Sequence, residues 1–363
     1  MLLLIPHLGG GGSERVIETL ARSLNPTKYE VHLALVTASQ RDARLFPPTV
    51  SIHELRSPRV RRSALRLLKL IWHLKPNLIL SGISHLNLLV LALRPLLPQS
   101  TRLVVRQNGA LQAALDSHSR LLARRVYSIT YRRADRVICQ TESMAHELHR
   151  GLAVAPSRLL VLPNPTDIRY IRAASDLNPK QDTTSATLLC IGRLVPEKGF
   201  DILLDAFASL SPPFRSTRLI IVGSGPELPR LQAQAEALGV IRRVHFAGHV
   251  PDPVVSFPHA SVFVLSSRTE GLPNAMLEAA AAGLPIVATP AFCGASHLLA
   301  DREGVWLAAE ISPDALRSAL QAALSSIRPG TRYRHDWMEP YDLPRAITAY
   351  EAALDRVIAE AAS

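Results

Sequence analysis

The chain has 363 residues, 47% of them hydrophobic and 20% charged, which is typical of a soluble globular protein too long for a single core. Its cysteines, Cys139, Cys190 and Cys293, are far apart in the sequence, which argues against a disulfide framework or a zinc site and favours a reducing compartment. The net charge of +11 is unevenly placed, because residues 1–165 hold 23 Lys and Arg against 9 Asp and Glu, whereas residues 166–363 hold 18 against 21.

The first predicted element is a strand, Leu2–Pro6, followed by the glycine run Gly9–Gly12 and a helix for which Ser13 is the predicted N-cap. A strand, a glycine-rich turn and a helix have the outline of a phosphate-binding loop. The spacing, however, matches neither the dinucleotide fingerprint nor a Walker A sequence. The turn alone is therefore equally consistent with a phosphate contact and with a tight turn.

Strands and helices then alternate along the chain, which predicts parallel β–α units and doubly wound sheets in an α/β protein. The predicted strands are 2–6, 31–37, 50–55, 77–82, 102–106, 135–139, 158–163, 187–191, 217–222, 243–246, 261–265 and 285–288. The predicted helices are 13–24, 59–74, 85–97, 117–133, 141–151, 199–210, 226–238, 253–258, 273–282 and 343–362.

The polar segment 166–185, which contains Pro179, is the predicted linker between two domains. The first domain is expected at residues 1–165 and the second at residues 186–340, and a closing helix is expected within residues 341–363. In doubly wound domains, ligands bind at the carboxyl ends of the strands.

The stretch 262–289 has the most informative pattern of the second domain: a buried strand, a polar turn, a helix that starts near Pro273, and another buried strand. The helix start is a natural anion site, because its unpaired N–H groups and its dipole both favour negative charge. Glu270 and Glu278 are unusual beside a phosphate unless the ligand also carries hydroxyls or develops positive charge. A nucleotide-sugar combines phosphates with hydroxyls, so this stretch predicts such a ligand.

Two cations, Arg193 and Lys198, lie in the segment Gly192–Gly199 between a predicted strand and a predicted helix. Arginine can fork onto two phosphate oxygens and lysine acts as a mobile point charge, although a solvated loop would also place them here. The turns Val222–Glu227 and Phe246–Gly248 follow two further strands. Four successive strand ends that carry Gly or charge predict a ligand site.

Five short motifs, most of them next to the end of a predicted strand, carry a family resemblance. They are Gly11-Gly12-Ser13-Glu14-Arg15, Gly192-Arg193 to Lys198-Gly199, Val222-Gly223-Ser224-Gly225-Pro226, Phe246-Ala247-Gly248, and Glu270 with Glu278 seven intervening residues later. Together they resemble the retaining glycosyltransferases of family 4, and the match is densest over residues 186–290. The resemblance implies the GT-B fold, with two doubly wound Rossmann-like parallel-sheet domains facing across a cleft and a C-terminal helix that returns to the N-terminal domain.

The resemblance also implies a role for each matching residue. Arg193 and Lys198 would neutralise the donor diphosphate, Glu270 would face the transferred sugar and stabilise the transition state, and these three are the expected catalytic residues. Glu278 would hold the ribose hydroxyls. The remaining donor-binding positions would be Gly271, Leu272, Pro273, Asn274, Gly248, Val250, Gly192, Gly11 and Gly12.

The first domain departs from the family pattern at one place. Many relatives have a histidine near the sugar after the strand that corresponds to 102–106, whereas this chain reads Arg106-Gln107-Asn108-Gly109. His85 and His118 are nearby in the sequence, but neither matches that place. Asn108 and His85 are therefore the candidates for the acceptor side, and Gln107 is an alternative.

The implied enzyme is a nucleotide-sugar-dependent, retaining hexosyltransferase of cell-envelope glycan biosynthesis. Its donor is expected to be a UDP-sugar, with a GDP-sugar as the alternative, and its acceptor a lipid-linked or polysaccharide glycan. Cations that stabilise the leaving phosphate take the place of a divalent ion. We therefore expect no metal and no cofactor.

The basic first half favours a partner with negative charge, and an anionic membrane surface is the expected one. On the predicted helix 59–74, Arg62, Arg66 and Lys69 share one stripe, and apolar residues form another stripe that would either rest on lipid or cover the sheet. No signal sequence or membrane span is predicted, so the expected location is cytoplasmic and peripheral at the membrane face.

The main alternative is a catalytically silent or non-transferase GT-B relative that acts as a basic membrane- or polyanion-binding protein. The presence of Arg193, Lys198, Glu270 and Glu278 argues against it. Nucleic acid is not an expected partner, because the first domain has no recognisable DNA- or RNA-binding motif and few aromatic residues lie among its arginines.

Overall fold

A computed structural model describes residues 1–9, 11–38, 45–109, 120–176, 185–292, 294–328 and 330–360. The chain divides into two compact units. The first unit comprises Met1–Pro165 and Leu343–Ser363, and the second unit comprises Thr166–Asp342.

The first unit contains a seven-stranded sheet in the order β3-β2-β1-β4-β5-β6-β7, and every neighbouring pair of strands is parallel. The order reverses between β1 and β4, where a doubly wound sheet opens a ligand crevice at the strand carboxyl ends. Its strands are β1 Leu2–Ile5, β2 Val31–Leu35, β3 Val50–Glu54, β4 Leu78–Ser81, β5 Arg102–Arg106, β6 Arg136–Cys139 and β7 Leu159–Val161. Its first helices are α1 Gly12–Ser23, α2 Ala64–Leu74, α3 Ser84–Ala92, α4 Arg120–Tyr131 and α5 Glu142–Leu152.

The second unit contains a six-stranded parallel sheet in the order β10-β9-β8-β11-β12-β13. Its order reverses between β8 and β11, so the loops that follow these two strands lie side by side. Its strands are β8 Thr187–Ile191, β9 Arg218–Val222, β10 Val244–Gly248, β11 Val262–Leu265, β12 Ile286–Ala288 and β13 Val305–Leu307. Its helices are α6 Ile168–Asp176, α7 Phe200–Ala208, α8 Leu228–Ala237, α9 Asn274–Ala281, α10 Ala295–Leu299 and α11 Pro313–Ser326.

The last helix, α12 Leu343–Ala359, belongs to the first unit. Its apolar stripe, which includes Tyr350 and Leu354, is buried with Leu3 and Leu33 of the first sheet in one core cluster. The predicted return of the C-terminal helix to the N-terminal domain is therefore confirmed. The two predicted parallel-sheet Rossmann-like domains are confirmed as well.

One predicted connection, the linker 166–185, differs from the structure. Residues predicted as the linker include α6, whose Ile168 and Ile171 are buried in the core of the second unit. A short amphipathic helix such as α6 resembles a polar linker in sequence. Residues 177–184, which include Pro179, lie outside the described residues.

Two helix starts also differ. Ser13 is not the N-cap of α1: Gly11 is, and no side chain caps this end. The predicted helix 59–74 is interrupted at Ser63, whose hydroxyl donates to the carbonyl of Val60 (2.7 Å), so a short 3-10 turn precedes α2. Short polar side chains that bond the nearby backbone compete with the helical pattern in this way.

Among the described residues, no helix combines the length and the hydrophobicity that crossing a membrane requires.

Candidate active site

The centre of the site is an ion pair in the second unit between Lys198 and Glu270. The Lys198 ammonium lies 2.5 Å from Glu270 Oε1, and the Ser267 hydroxyl donates to the same oxygen over 2.7 Å. The side chain of Glu270 is 11% exposed and that of Lys198 is 24% exposed, so solvent screens the pair only in part. Two residues 72 positions apart thus meet because their loops follow the adjacent strands β8 and β11.

A second set of bonds fastens these two loops to each other. Arg268 forks onto Asp201 with two bonds of 2.7 Å, and also donates to the carbonyl of Pro196 over 2.8 Å. Its backbone N–H donates to the carbonyl of Glu197 over 2.7 Å. Burial opposes ionisation of Asp201, but the bonds from Arg268 lower the pKa of that carboxyl below its usual value. The loops that carry Lys198 and Glu270 therefore behave as one rigid piece.

Glycines bring the backbone segments of this site into contact. A Cβ on Gly223, which has φ +144°, would lie 1.8 Å from the carbonyl oxygen of Gly192. A Cβ on Gly199, with φ +61°, would lie 2.1 Å from the carbonyl oxygen of Ser266. Only glycine fits such close approaches at positive φ.

Arg193 is exposed and forms no ion pair with any residue that the structure describes, so it is available for a ligand. Glu270 leads into α9 through Gly271, Leu272 and Pro273, all buried, and its N–H donates to the carbonyl of Ala291 over 2.8 Å. Pro273 is the N-cap of α9, and no side chain caps this helix. The segment that leads into α9 is therefore held by burial and by this backbone hydrogen bond.

Asn274 and Glu278 are both half-buried, and they are four positions apart on α9, so they share one face of the helix. On the other side of the site, Gly248 ends β10 at φ +71° and a Cβ there would have no neighbour within 4 Å. Val250 is half-buried against the core of the second unit. These positions are consistent with the predicted donor-binding roles, which remain predictions.

In the first unit, Gly11 and Gly12 lie at the start of α1, directly after β1. The loop before them is fastened by Glu18, which is 4% exposed and accepts a bond from the Gly9 N–H over 2.8 Å. This role of Glu18 does not follow from the sequence, because a helical glutamate ordinarily faces solvent. Gly10 lies outside the described residues.

His85 lies at the start of α3, directly after β4, and therefore near the glycine turn that follows β1. Partial burial lowers the pKa of His85, and His7 lowers it further, whereas Glu14 opposes the shift. His7 and Glu14 are therefore electrostatic neighbours of His85, and the three side chains lie near the strand ends of the first sheet. His118, the other histidine considered, lies outside the described residues.

Asn108 is half-buried, and its side-chain oxygen accepts a hydrogen bond from Arg106. Gln107 is buried and used internally, since it accepts a bond from Tyr131 (2.8 Å) and donates to the carbonyl of Gly109 (2.8 Å). Of the two amides considered for the acceptor side, Asn108 is therefore the more accessible.

The structure shows no group of three or more His, Cys, Asp or Glu side chains arranged for a metal ion within the residues it describes. Cys190 is buried near the site, and burial raises the pKa of its thiol to about 12, so this thiol stays protonated. Cys139 is also buried, and Cys293 lies outside the described residues.

Solved structures share the architecture of this chain, two parallel-sheet Rossmann-like units, which is the GT-B fold. The structure of Anabaena HepE in complex with UDP superposes with a TM-score of 0.74 at 18% identity, covering 98% of this chain and 99% of that one. Sucrose-phosphate synthase from Thermosynechococcus elongatus superposes with a TM-score of 0.80 at 18% identity, covering 99% of each chain.

Family profiles identify the family. Residues 10–170 match the profile described as Glycosyltransferase Family 4, and residues 174–339 match the one described as Glycosyl transferases group 1. The chain belongs to glycosyltransferase family 4, as the motifs had indicated.

Individual relatives match this chain over different lengths and at different identities. An uncharacterized glycosyltransferase of Methanocaldococcus jannaschii is 25% identical over 246 residues, 64% of this chain and 60% of the relative. The N-acetylgalactosamine-N,N'-diacetylbacillosaminyl-diphospho-undecaprenol 4-alpha-N-acetylgalactosaminyltransferase of Campylobacter jejuni is 26% identical over 317 residues, 83% of each. A GDP-mannose-dependent phosphatidylinositol monomannoside mannosyltransferase of Mycolicibacterium smegmatis is 41% identical over 110 residues, 28% of this chain and 29% of the relative.

Proposed function

We propose that this glycosyltransferase moves a sugar from a UDP-sugar to a lipid-linked or glycan acceptor in cell-envelope biosynthesis, with retention at the anomeric carbon. The observation that carries the proposal is the pair of Lys198 and Glu270 beside the start of α9. It places a cation, a carboxylate and helix-start amides together. A diphosphate leaving group and a sugar that becomes positively charged require these three kinds of group.

In the proposed reaction, the bond between the anomeric carbon and the diphosphate breaks, and its electron pair goes to the phosphate oxygen. Lys198 and Arg193 bind the negative charge that grows there, each charge-assisted contact being worth about 1.5–3 kcal/mol. The Glu270 carboxylate faces the sugar, on which positive charge grows. The acceptor hydroxyl attacks from the same face and passes its proton to the departing phosphate oxygen, so the configuration is retained.

The pairing also suggests how the site changes when the donor binds. Lys198 is the mobile partner, because its ammonium is carried on a flexible stem. Glu270 is held independently by Ser267 and by its own backbone bond to Ala291. The ammonium can therefore move toward the diphosphate while the carboxylate keeps its position.

The relatives support the substrate classes. The Campylobacter jejuni relative acts, by its name, on a diphospho-undecaprenol glycan, and HepE was crystallised with UDP. The Mycolicibacterium smegmatis relative is named for GDP-mannose, which keeps GDP as the alternative base. Ribose hydroxyls occur in both nucleotides, so the proposed role of Glu278 does not distinguish them.

A thermal-shift panel of UDP, GDP, ADP and their common sugar conjugates tests the donor. A ligand that binds only the folded state raises the melting temperature, and we expect the largest rise with UDP or a UDP-sugar. Turnover of that donor, measured by release of UDP with and without EDTA, then tests the metal-independent reaction. Absence of any nucleotide-dependent shift would instead favour the catalytically silent, binding-only alternative.

The acceptor side of the proposal includes an anionic membrane surface. Leu65 and Trp72 are 75% and 50% exposed and lie seven positions apart on α2, hence on one face. The indole of Trp72 donates to the carbonyl of Leu96 (2.9 Å), which is itself 55% exposed. Large apolar side chains among exposed cations are typical of a surface that rests on anionic lipid.

The surface differs in two respects from the one expected from the sequence. Leu67 and Ile71 of α2 are buried in the first core, so the main apolar stripe of this helix covers the sheet. Arg66 is also less available than expected, because it donates to the carbonyls of Leu55 (2.8 Å) and Arg56 (2.5 Å). The proposed membrane contact therefore rests on Leu65, Trp72 and Leu96 with the exposed cations Arg62 and Lys69.

A further inference from the structure

Arg106, the last residue of β5, is a buried cation without an anionic partner. It is 2% exposed, and among the described residues no carboxylate forms an ion pair with it. Its two terminal nitrogens donate to neutral oxygens, those of the Asn108 and Asn164 side chains. Burial lowers its pKa and the neighbouring phenol of Tyr350 opposes the shift, but a guanidinium stays protonated.

Leaving this charge uncompensated is costly, because a buried ion is stabilised mainly by an opposite charge and by hydrogen bonds. A compensating carboxylate would require little change, since Asp differs from Asn by one terminal group. Asn164 is 2% exposed and already directs its oxygen to the guanidinium. The chain nevertheless has amides at both partner positions, so the first unit keeps a net positive charge at this point.

The surroundings of Arg106 contain further unpaired polar atoms. Asn108 binds Arg106 through its oxygen, and its buried Nδ2 has no hydrogen-bond partner in the structure. Asn87 Oδ1 and Gln140 Oε1 are likewise buried and unpartnered. Asn87 is linked to Arg106 directly, because its Nδ2 donates to the Arg106 carbonyl over 3.0 Å. Asn108 and Gln140 lie just beyond the carboxyl ends of β5 and β6, and Asn87 lies in the first turn of α3, the helix that follows β4. Doubly wound sheets bind ligands at these strand ends.

We propose that Arg106 and Asn108 form an anion-recognition subsite of the first unit, which binds a phosphate group of a substrate. Asn108, half-buried just beyond the end of β5, is the residue that meets the ligand, and Arg106 acts as a positioning residue that orients its side chain and supplies positive charge from behind. The inference rests on the proposed function, in which both the donor and a lipid-linked acceptor carry phosphate. The experiment below distinguishes these two sources.

The decisive variant is Asn164→Asp, which places a carboxylate against Arg106 without touching Asn108. It neutralises the charge while replacing a neutral bond by an ion pair, so the melting temperature should not fall. Arg106→Lys keeps the charge but loses the planar guanidinium that donates to both Asn108 and Asn164. Arg106→Met removes the charge. Binding of farnesyl diphosphate, UDP and uncharged farnesol is measured by calorimetry on the full chain at low salt.

We expect Asn164→Asp and Arg106→Met each to weaken farnesyl diphosphate binding about tenfold or more, the scale of one lost charge interaction. Arg106→Lys should weaken it less, and farnesol binding should not change. If UDP binding falls and farnesyl diphosphate binding does not, the phosphate recognised is that of the donor. Either result supports the subsite.

Unchanged binding of both diphosphates to a stable Asn164→Asp variant overturns the proposal and leaves Arg106 with a packing role only. That measurement does not depend on turnover. If the wild-type chain transfers no sugar from any nucleotide-sugar while Asn164→Asp still weakens diphosphate binding, the proposed function fails and the subsite stands. If transfer is observed and diphosphate binding is insensitive to Asn164→Asp, the proposed function stands and the subsite fails.

Discussion

Glu270 uses its two carboxylate oxygens differently. Oε1 accepts from both Lys198 and Ser267, whereas Oε2 has no hydrogen-bond partner among the residues that the structure describes. The carboxylate is thus fixed through one oxygen and can meet a substrate through the other. Such preorganisation lets a charged group stabilise a transition state without reorienting first.

Removal of either partner of this pair should abolish most of the activity. We expect Lys198→Ala and Glu270→Gln each to lower kcat at least about a hundredfold, as loss of one preorganised electrostatic contact does in other enzymes. Release of the nucleoside diphosphate at saturating donor is the measurement. Arg242→Ala, which removes an exposed cation of the second unit, is the control, and near-normal turnover in Lys198→Ala would refute the assignment.

Ser267 is predicted to position Glu270 and not to contact the substrate. Ser267→Ala should lower kcat by roughly tenfold, consistent with loss of one buried hydrogen bond, and leave the donor KM within about a factor of two. Ser326→Ala, which removes an exposed hydroxyl from α11, serves as the matched control. A change confined to KM would show that Ser267 binds the donor directly.

Part of the site could be predicted from the sequence and part could not. The meeting of Lys198 and Glu270 follows from strand order, because both residues lie just beyond the ends of predicted strands. The clamp between Arg268 and Asp201 and the isolation of Arg106 do not follow. Both depend on which side chains converge in space, and no spacing in the sequence indicates that.

At the scale of elements, the turns after β8 and β9 form one close-packed unit. The Gly192 N–H donates to the carbonyl of Val222 (3.0 Å), and the Gly223 N–H donates to the carbonyl of Gly248 (2.7 Å). Three successive turns are thereby joined through backbone atoms alone. A side chain at Gly223 would therefore clash with the backbone of the neighbouring turn.

Gly223→Ala should therefore destabilise the second unit and disturb the donor site. We expect a loss of stability of about 2 kcal/mol or more, from a clash with the Gly192 carbonyl in addition to unfavourable φ, measured by urea denaturation. The control is Gly239→Ala, which also has positive φ, +69°, but no atom within 4 Å of its Cβ. Equal losses in the two variants would show that φ alone matters.

The segment before α12 carries a buried histidine that should make stability depend on pH. His335 is 4% exposed, one ring nitrogen lies 2.9 Å from the Leu284 carbonyl, and burial lowers its pKa. The unfolded chain therefore takes up this proton first, so stability should fall as the pH drops through about 6.5, the ordinary histidine value.

This dependence can be measured as the change in melting temperature between pH 7.5 and pH 5.5, a window of roughly one unit on each side of the histidine value. His335→Gln keeps a donor toward Leu284 and cannot titrate, so its melting temperature should fall less. The exposed His297→Gln should behave as the wild type does. A wild-type-like slope in His335→Gln would contradict the assignment.

Strand positions were easier to predict than the connections between them. Buried parallel strands are short apolar runs bounded by polar or Gly residues, and β5 and β8 have the predicted bounds. The α6 region differs from the predicted linker because its apolar residues Ile168 and Ile171 are too few to show a helical period. Tertiary packing, not local pattern, assigns it to the second unit.

At the scale of the whole molecule, the charge asymmetry should appear as salt-dependent lipid binding. We expect the wild-type chain to bind vesicles that contain anionic lipid, and the combined variant Arg62→Ala, Lys69→Ala and Trp72→Ala to bind at least tenfold more weakly. Each surface cation contributes about 1 kcal/mol near such a membrane. Co-sedimentation with vesicles at two salt concentrations is the measurement.

A matched control removes two exposed cations from the second unit, Arg215→Ala and Arg242→Ala. This control should bind vesicles as the wild type does, and UDP binding should be unchanged in both variants. Equal weakening in the two variants would show that lipid senses only the total charge. No binding by the wild-type chain would leave the exposed apolar residues of α2 without a membrane role.

The return of α12 to the first sheet also determines the order in which the protein can be completed during synthesis. The first unit lacks part of its core until residues 343–360 have been made, whereas the second unit is contiguous in sequence and can close earlier. A nascent chain that stops near Asp342 would thus contain a finished second unit and a first unit with Leu3 and Leu33 uncovered. Quality control by chaperones and proteases should therefore act most strongly on chains that lose only their last few turns of helix.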